Sequence, residues 1–184
     1  GATIQARSEM YGFEVNTRYH IMKSDRIRGN ALIGFRFMQL EESLTIHDTV
    51  SPIAVDTFSF LGNFVNAPAT ISDIDQFKTR NQFYGGQIGG QLTWEENWFF
   101  LTFTGKVAFG NTQQYKNIQG SSTLVSPAGT QVAQGGILAQ PTNIGQQTRN
   151  VFGIIPEWGI SGGFYVTQQL RVMAGYNILL WNRV

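Results

Sequence analysis

The chain has 184 residues, a net charge of +1, no cysteine, 14% charged side chains and 13% aromatic ones. That length suits one domain, the charge gives no basic field for nucleic acid, and the missing cysteine excludes a disulfide scaffold or a thiolate metal site. No apolar run approaches the ~20 residues of a membrane helix, and a mean hydropathy just below zero excludes a helical membrane protein.

Six segments alternate apolar and non-apolar residues with the period of two that marks a strand. In 10–21, Tyr11, Phe13, Val15, Tyr19 and Ile21 oppose Gly12, Glu14, Asn16, Arg18 and His20. In 29–38, Ala31, Ile33, Phe35 and Phe37 oppose Asn30, Gly34 and Arg36. In 84–94, Tyr84, Ile88, Leu92 and Trp94 oppose Gln87, Gly89, Gln91 and Thr93. The clearest case is 98–109, where Phe99, Leu101, Phe103, Val107 and Phe109 oppose Thr102, Thr104, Lys106 and Ala108. In 151–166, Phe152, Ile154, Trp158, Ile160, Phe164 and Val166 oppose Gly153, Glu157, Gly159, Ser161 and Gly163. In 170–181, Leu170, Val172, Ala174, Tyr176, Ile178 and Leu180 oppose Arg171, Met173, Gly175 and Asn177. Each segment reaches the roughly 9–11 tilted residues needed to cross a hydrocarbon layer.

The connections alternate in length. Three are short and polar: Lys23-Ser24-Asp25-Arg26, Glu95-Glu96-Asn97 and Thr167-Gln168-Gln169. Two are long, about 41–78 and 112–148. Short turns at one end and long loops at the other describe an antiparallel transmembrane β-barrel. The chain thus reads as all-β, one domain over 1–184. Six strands fall below the eight of small membrane barrels, so the reading is of a partial barrel, with 53–65 and 113–125 as candidates for hidden strands. Trp94, Trp98, Tyr165, Tyr176 and Trp181 lie near strand ends, where amphipathic rings favour a membrane–water interface.

The segment Thr79-Arg80-Asn81-Gln82-Phe83-Tyr84-Gly85-Gly86-Gln87-Ile88-Gly89 resembles a signature of the putative β-barrel porin family 7, found mainly in planctomycete-type bacteria. Gly34-Phe35-Arg36-Phe37 followed by 40–46, then 105–112, Asn143-Ile144-Gly145, Arg149, Pro156-Glu157, and Gly175-Tyr176 with Trp181 are similar to its other parts in order. The resemblance spans roughly 31–184. It implies a pore-like membrane barrel whose members are longer on both sides, and it carries no catalytic residues.

Under the barrel reading, Glu14, Arg18, Arg36, Lys106, Glu157 and Arg171 are the lumen or pore-lining candidates. Their four cations outnumber their two carboxylates, which leans a bare pore toward anions. The lipid-facing candidates are Phe35, Phe37, Phe99, Leu101, Phe103, Phe109, Phe152, Ile154, Ile160, Val172 and Ile178. His20 and His47 stand far apart without ligand spacing, so no metal site is expected. Asp73-Ile74-Asp75 reads as a solvated loop turn rather than a calcium site. Gly85-Gly86 and Gly89-Gly90 lack the Lys-Ser/Thr of a phosphate loop, and no nucleophile elbow or His-Glu-x-x-His pair is present. Neither an enzyme nor a cofactor is indicated.

The leading expectation is a bacterial outer-membrane barrel for passive diffusion of small polar solutes or ions. Its partners would be outer-membrane lipid and those solutes, with a homo-oligomer or other envelope proteins possible and no nucleic acid. One alternative is a non-conducting structural or adhesive barrel that only anchors loops. Another is a soluble barrel that holds an apolar ligand with its phenylalanine face inward. The Gln- and Gly-rich segment 112–148 either folds inward as a constriction or faces outward as a binding surface.

Overall fold

A computed structural model describes residues 1–53, 58–167, 169–182 and 184. Among them every regular element is a strand. These are β1 (Ala2–Lys23), β2 (Ile27–Val50), β3 (Phe58–Phe60), β4 (Asn63–Val65), β5 (Thr70–Glu96), β6 (Phe99–Ser126), β7 (Gly129–Gln134), β8 (Gly145–Tyr165) and β9 (Arg171–Leu179). One seven-stranded sheet runs in the order β1-β2-β5-β6-β8-β9, with β7 added to β6, while β3 and β4 form a separate hairpin. The pairing is antiparallel where β8 meets β9: Tyr165 stands opposite Arg171 and Glu157 opposite Leu179. Edges β1 and β9 do not pair with each other among the described residues, so the sheet is not closed.

All six expected strands are present, yet β2, β5 and β6 are far longer than the alternation indicates, with 24, 27 and 28 residues. The expected long loops, 41–78 and 112–148, are therefore corrected. Residues 41–50, 70–78 and 112–126 are strand, and the connections between these strands hold the β3–β4 hairpin and β7. The reason is chemical. Beyond the apolar stretches the apolar residues thin out and fall on both faces, as Ile71, Ile74 and Phe77 do, so hydropathy loses its period while the backbone keeps its pairing. Of the hidden-strand candidates, 53–65 holds β3 and β4, and 113–125 is the continuation of β6. Residues 54–57 of the first candidate, and Gln168 of the third turn, lie outside the described residues.

The chain forms two compact units, and most long strands contribute to both. Unit 2 comprises 11–39, 81–114 and 150–184 and holds all three short turns. Ser24 N–H closes the first turn on Ile27 O at 2.8 Å. The Thr167 hydroxyl holds the third by accepting Gln169 N–H at 3.2 Å and Leu170 N–H at 3.0 Å. The polar face of this unit contains an apolar layer of Met38, Phe83, Ala108 and Ile155, with Leu179 and Trp181 packed against it. Phe83, Ala108 and Ile155 are fully buried. Trp181, expected as an interface aromatic, is half-buried against this layer: its ring meets Phe83 edge-on at 6.4 Å.

Unit 1 comprises 1–10, 40–80 and 115–149. Its core gathers Phe60, Val65, Ala69, Ile71 and Leu124, with Ala133 against them. The β3–β4 hairpin supplies Phe60 and Val65, so the short strands act as a cover for this cluster.

Phe83→Ala is expected to lower stability by about 3–5 kcal/mol, the usual cost of deleting a fully buried aromatic ring. The urea midpoint of the folded protein reads it. An unchanged midpoint would mean that this layer of the polar face is open to water.

Candidate functional site

Unit 2 sorts its side chains by alternation. On one face lie Phe35, Phe103, Phe109, Phe152, Ile160, Val172 and Ile178, all exposed, and Phe37, Phe99, Leu101 and Ile154, half-buried. Phe103 is 47% exposed and Phe152 59%, so this face is covered by nothing among the described residues. Aromatic contacts knit it together. Phe13 lies 5.6 Å from Phe37, Trp94 5.3 Å from Phe99, and Trp98 stacks on Phe164 at 5.1 Å. The apolar set stops at a polar rim, where Asn111 Nδ2 donates to Tyr84 Oη at 2.7 Å and to Asn150 Oδ1 at 3.1 Å.

The opposite face carries a four-charge network. Lys106 Nζ donates to Glu14 Oε1 at 2.6 Å and lies 3.1 Å from Glu157 Oε1. Arg36 Nη2 hydrogen-bonds both Glu14 and Glu157. Gln87 Nε2 donates to Glu14 Oε2 at 3.0 Å and to Asn16 Oδ1 at 2.5 Å. The Arg36 side chain is only 5% exposed and Lys106 8%, against 34% for Glu14. Burying such charges is tolerable only when they are paired, and here two cations meet two carboxylates. Gly89, across the β5–β6 pair, leaves room for the lysine stem: a Cβ there would stand 2.8 Å from Lys106 Cγ.

This network fixes the curvature of the unit. Arg36 is on β2 and Glu157 on β8, with β5 and β6 between them. Three strand spacings would separate them by about 14 Å on a flat sheet. Their hydrogen bond requires the sheet of unit 2 to curl with its polar face concave. Beside the network lies a cavity of about 500 Å³ lined by Glu14, Arg18, Lys106, Glu157, Gln91 and Asn177 among others.

Four of the six expected lumen charges, Glu14, Arg36, Lys106 and Glu157, are therefore brought together, and two are not. Arg18 is exposed on the cavity wall. Arg171 is exposed and lies 5.6 Å over the Phe100 ring. Tyr165 shares that corner: it packs on Phe100 at 5.5 Å and donates to Glu95 Oε1 at 3.1 Å, so its ring belongs to the polar face. The supporting Gln87, Asn16 and Phe100 escape a reading that singles out charges, though Gln87 shares the parity of the polar set.

Alternating strands, a curled sheet and the sorting of its faces are the geometry of a barrel wall. The whole chain, residues 1–184, matches the family model described as Putative beta barrel porin-7 (BBP7). The chain belongs to this family. No curated protein matches it. Within unit 2 the polar network lies on the concave side of the sheet.

Lys106→Gln is expected to cost about 3 kcal/mol, the low end for a broken buried pair, because it leaves the mostly buried Glu157 and the partly exposed Glu14 carboxylates facing one guanidinium. Arg18→Gln, at an exposed cation outside the network, is expected to change stability by less than about 0.5 kcal/mol. Chemical denaturation of the two variants side by side measures the contrast, and equal midpoints would sink it.

Proposed function

We propose that the chain is the wall of a bacterial outer-membrane β-barrel through which small polar solutes or ions diffuse along the concave polar face. The observation that carries this reading is the exposed apolar band of unit 2. Soluble monomers rarely expose apolar patches beyond a few hundred Å², and lipid is the cover this band fits. On β6 it runs from Phe99 to Phe109 before Asn111 begins the polar rim. That is about 33 Å of strand, which at a tilt of about 40° stands about 25 Å tall, the height of a barrel's lipid band. Trp94, Trp98 and Phe164 at one limit, and Tyr84 at the other, fit the aromatic girdles of such a band.

The reading needs no catalytic group and no cofactor. Its partners are the hydrocarbon and headgroups of the outer membrane and the solutes in transit. The soluble-barrel alternative needs the phenylalanines on the concave side, which is where unit 2 places Arg36 and Glu157. A second reading, a barrel that anchors external segments without conducting, draws support from one observation. The charge network and the apolar layer around Phe83 fill much of the polar face in unit 2. Single-channel recording in a planar bilayer separates the two: discrete conductance steps support diffusion, and a silent, correctly inserted protein supports anchoring.

The lipid assignment has its own test. A fluorophore at position 103 or 152 should be quenched by lipid-borne quenchers and one at 104 or 157 should not; the reverse pattern would sink the membrane reading. Phe103→Arg should cost about 2–4 kcal/mol near the bilayer midplane, whereas Thr104→Ser should cost little.

A further inference from the structure

Two charged side chains outside the four-charge network differ in what they leave free. Asp75, on β5 in unit 1, is 1% exposed. Its Oδ2 accepts Ile137 N–H at 3.1 Å and Leu138 N–H at 3.0 Å, and its Oδ1 accepts Ala139 N–H at 2.8 Å. The reading of Asp73-Ile74-Asp75 as a solvated loop turn is thereby corrected, and the Asp75 charge is answered within the chain. Arg18 in unit 2 is the opposite case. It is exposed on the wall of the cavity of about 500 Å³, and no carboxylate pairs with it among the described residues. Lys106 and Arg36 are matched by Glu14 and Glu157. The cavity wall therefore carries one unmatched charge, and it is positive.

The rest of the wall is neutral and hydrogen-bonding, and glycines make room for it. Asn177 on β9 stands opposite Gly159 on β8, and Ser161 on β8 opposite Gly175 on β9. A Cβ on Gly159 would run into the Asn177 amide, and one on Gly175 would stand 2.8 Å from Ser161 Cβ. On the β1–β2 side, a Cβ on Gly34 would run into the Asn16 amide oxygen. Each of these polar side chains thus faces bare backbone on the adjoining strand. The Ser161 hydroxyl and the Asn177 amide make no side-chain hydrogen bond among the described residues. Leu32 and Met173 add apolar surface to the same cavity, whose volume falls in the range of small-molecule sites.

We propose that this cavity binds a small polyhydroxylated monoanion, a sugar acid of the hexuronate kind, with its carboxylate on Arg18 and its hydroxyls on Asn16, Ser161 and Asn177. This inference rests on the diffusion reading, whose solute it names. A planar guanidinium meets a carboxylate through two parallel N–H bonds. The free amides and the hydroxyl both donate and accept, as sugar hydroxyls do, and Leu32 and Met173 suit the C–H faces of a sugar ring. A neutral sugar leaves Arg18 unmatched. A bare carboxylate such as acetate leaves the amides and the hydroxyl unmatched. Only a solute that is both anionic and hydroxylated answers the whole wall.

Isothermal titration of the full chain in lipid nanodiscs tests this, with glucuronate, glucose and acetate as probes. Glucuronate should bind at least about tenfold more tightly than glucose, which lacks the charge, and than acetate, which lacks the hydroxyls. Arg18→Gln, at an exposed side chain outside the network, should cut glucuronate affinity about tenfold and leave glucose unaffected. Asn177→Ala should cut it about fivefold without altering any charge. Glucose or acetate bound as tightly as glucuronate overturns the proposal. So does a parent that binds no glucuronate, or an Arg18→Gln variant that binds it as the parent does. Binding is read at equilibrium and conduction in a planar bilayer, so the two readings fail separately. Glucuronate bound as expected by a protein that gives no conductance upholds the site and defeats diffusion, and conductance without glucuronate binding does the reverse.

Discussion

Arg36 reaches Glu157 across two intervening strands and Lys106 reaches Glu14 across two, and this pairing of charges constrains the sheet of unit 2. A β-sheet is free to curl either way about its strands. Here opposite charges sit on one face of β1, β2, β6 and β8, and each needs a partner once water is reduced. The nearest partners lie across the concavity, so pairing and curling stabilise one another. Curling with the polar face inside then leaves Phe35, Phe103 and Phe152 on the convex side. The exposed apolar band is a consequence of satisfying the charges within; under the membrane reading proposed above, lipid would turn that exposure from a penalty into a fit.

Much of this was legible from the residues. Alternation in 98–109 fixes which side chains share a face, because the period of a strand admits no other sorting. The same parity places Glu14, Arg36, Lys106 and Glu157 together without any knowledge of distance. What alternation cannot register is strand beyond the apolar band. Along Thr70–Arg80 apolar Ile71, Ile74 and Phe77 are sparse and fall on both faces among polar and charged residues, so β5 reads as loop although its backbone stays in the sheet throughout. Phe83 and Ile155 escaped for the opposite reason. They are apolar on the polar face, so they look like noise in the pattern, yet they form the core of unit 2. Asp75 looked like a solvated acid because its partners are backbone N–H groups, which sequence composition does not display.

The buried network also changes how charge on this face is weighed. Counting residues gives four cations to two carboxylates and a lean toward anions. Arg36 and Lys106 are buried against Glu14 and Glu157, so these four sum to zero where they meet. A cluster of zero net charge holds shape and casts little field at a distance. Arg18 on the cavity wall and Arg171 over Phe100 are exposed, and their charge is what an ion nearby experiences. Two tasks that composition merges are thus divided among particular residues: paired charges hold the curvature, and under the diffusion reading proposed above the exposed cations would set ion preference. A substitution at Lys106 acts first on folding, whereas one at Arg18 acts on the field alone. If the proposed diffusion holds, its selectivity would change by surface substitution at Arg18 without disturbing the bonds that hold the curve.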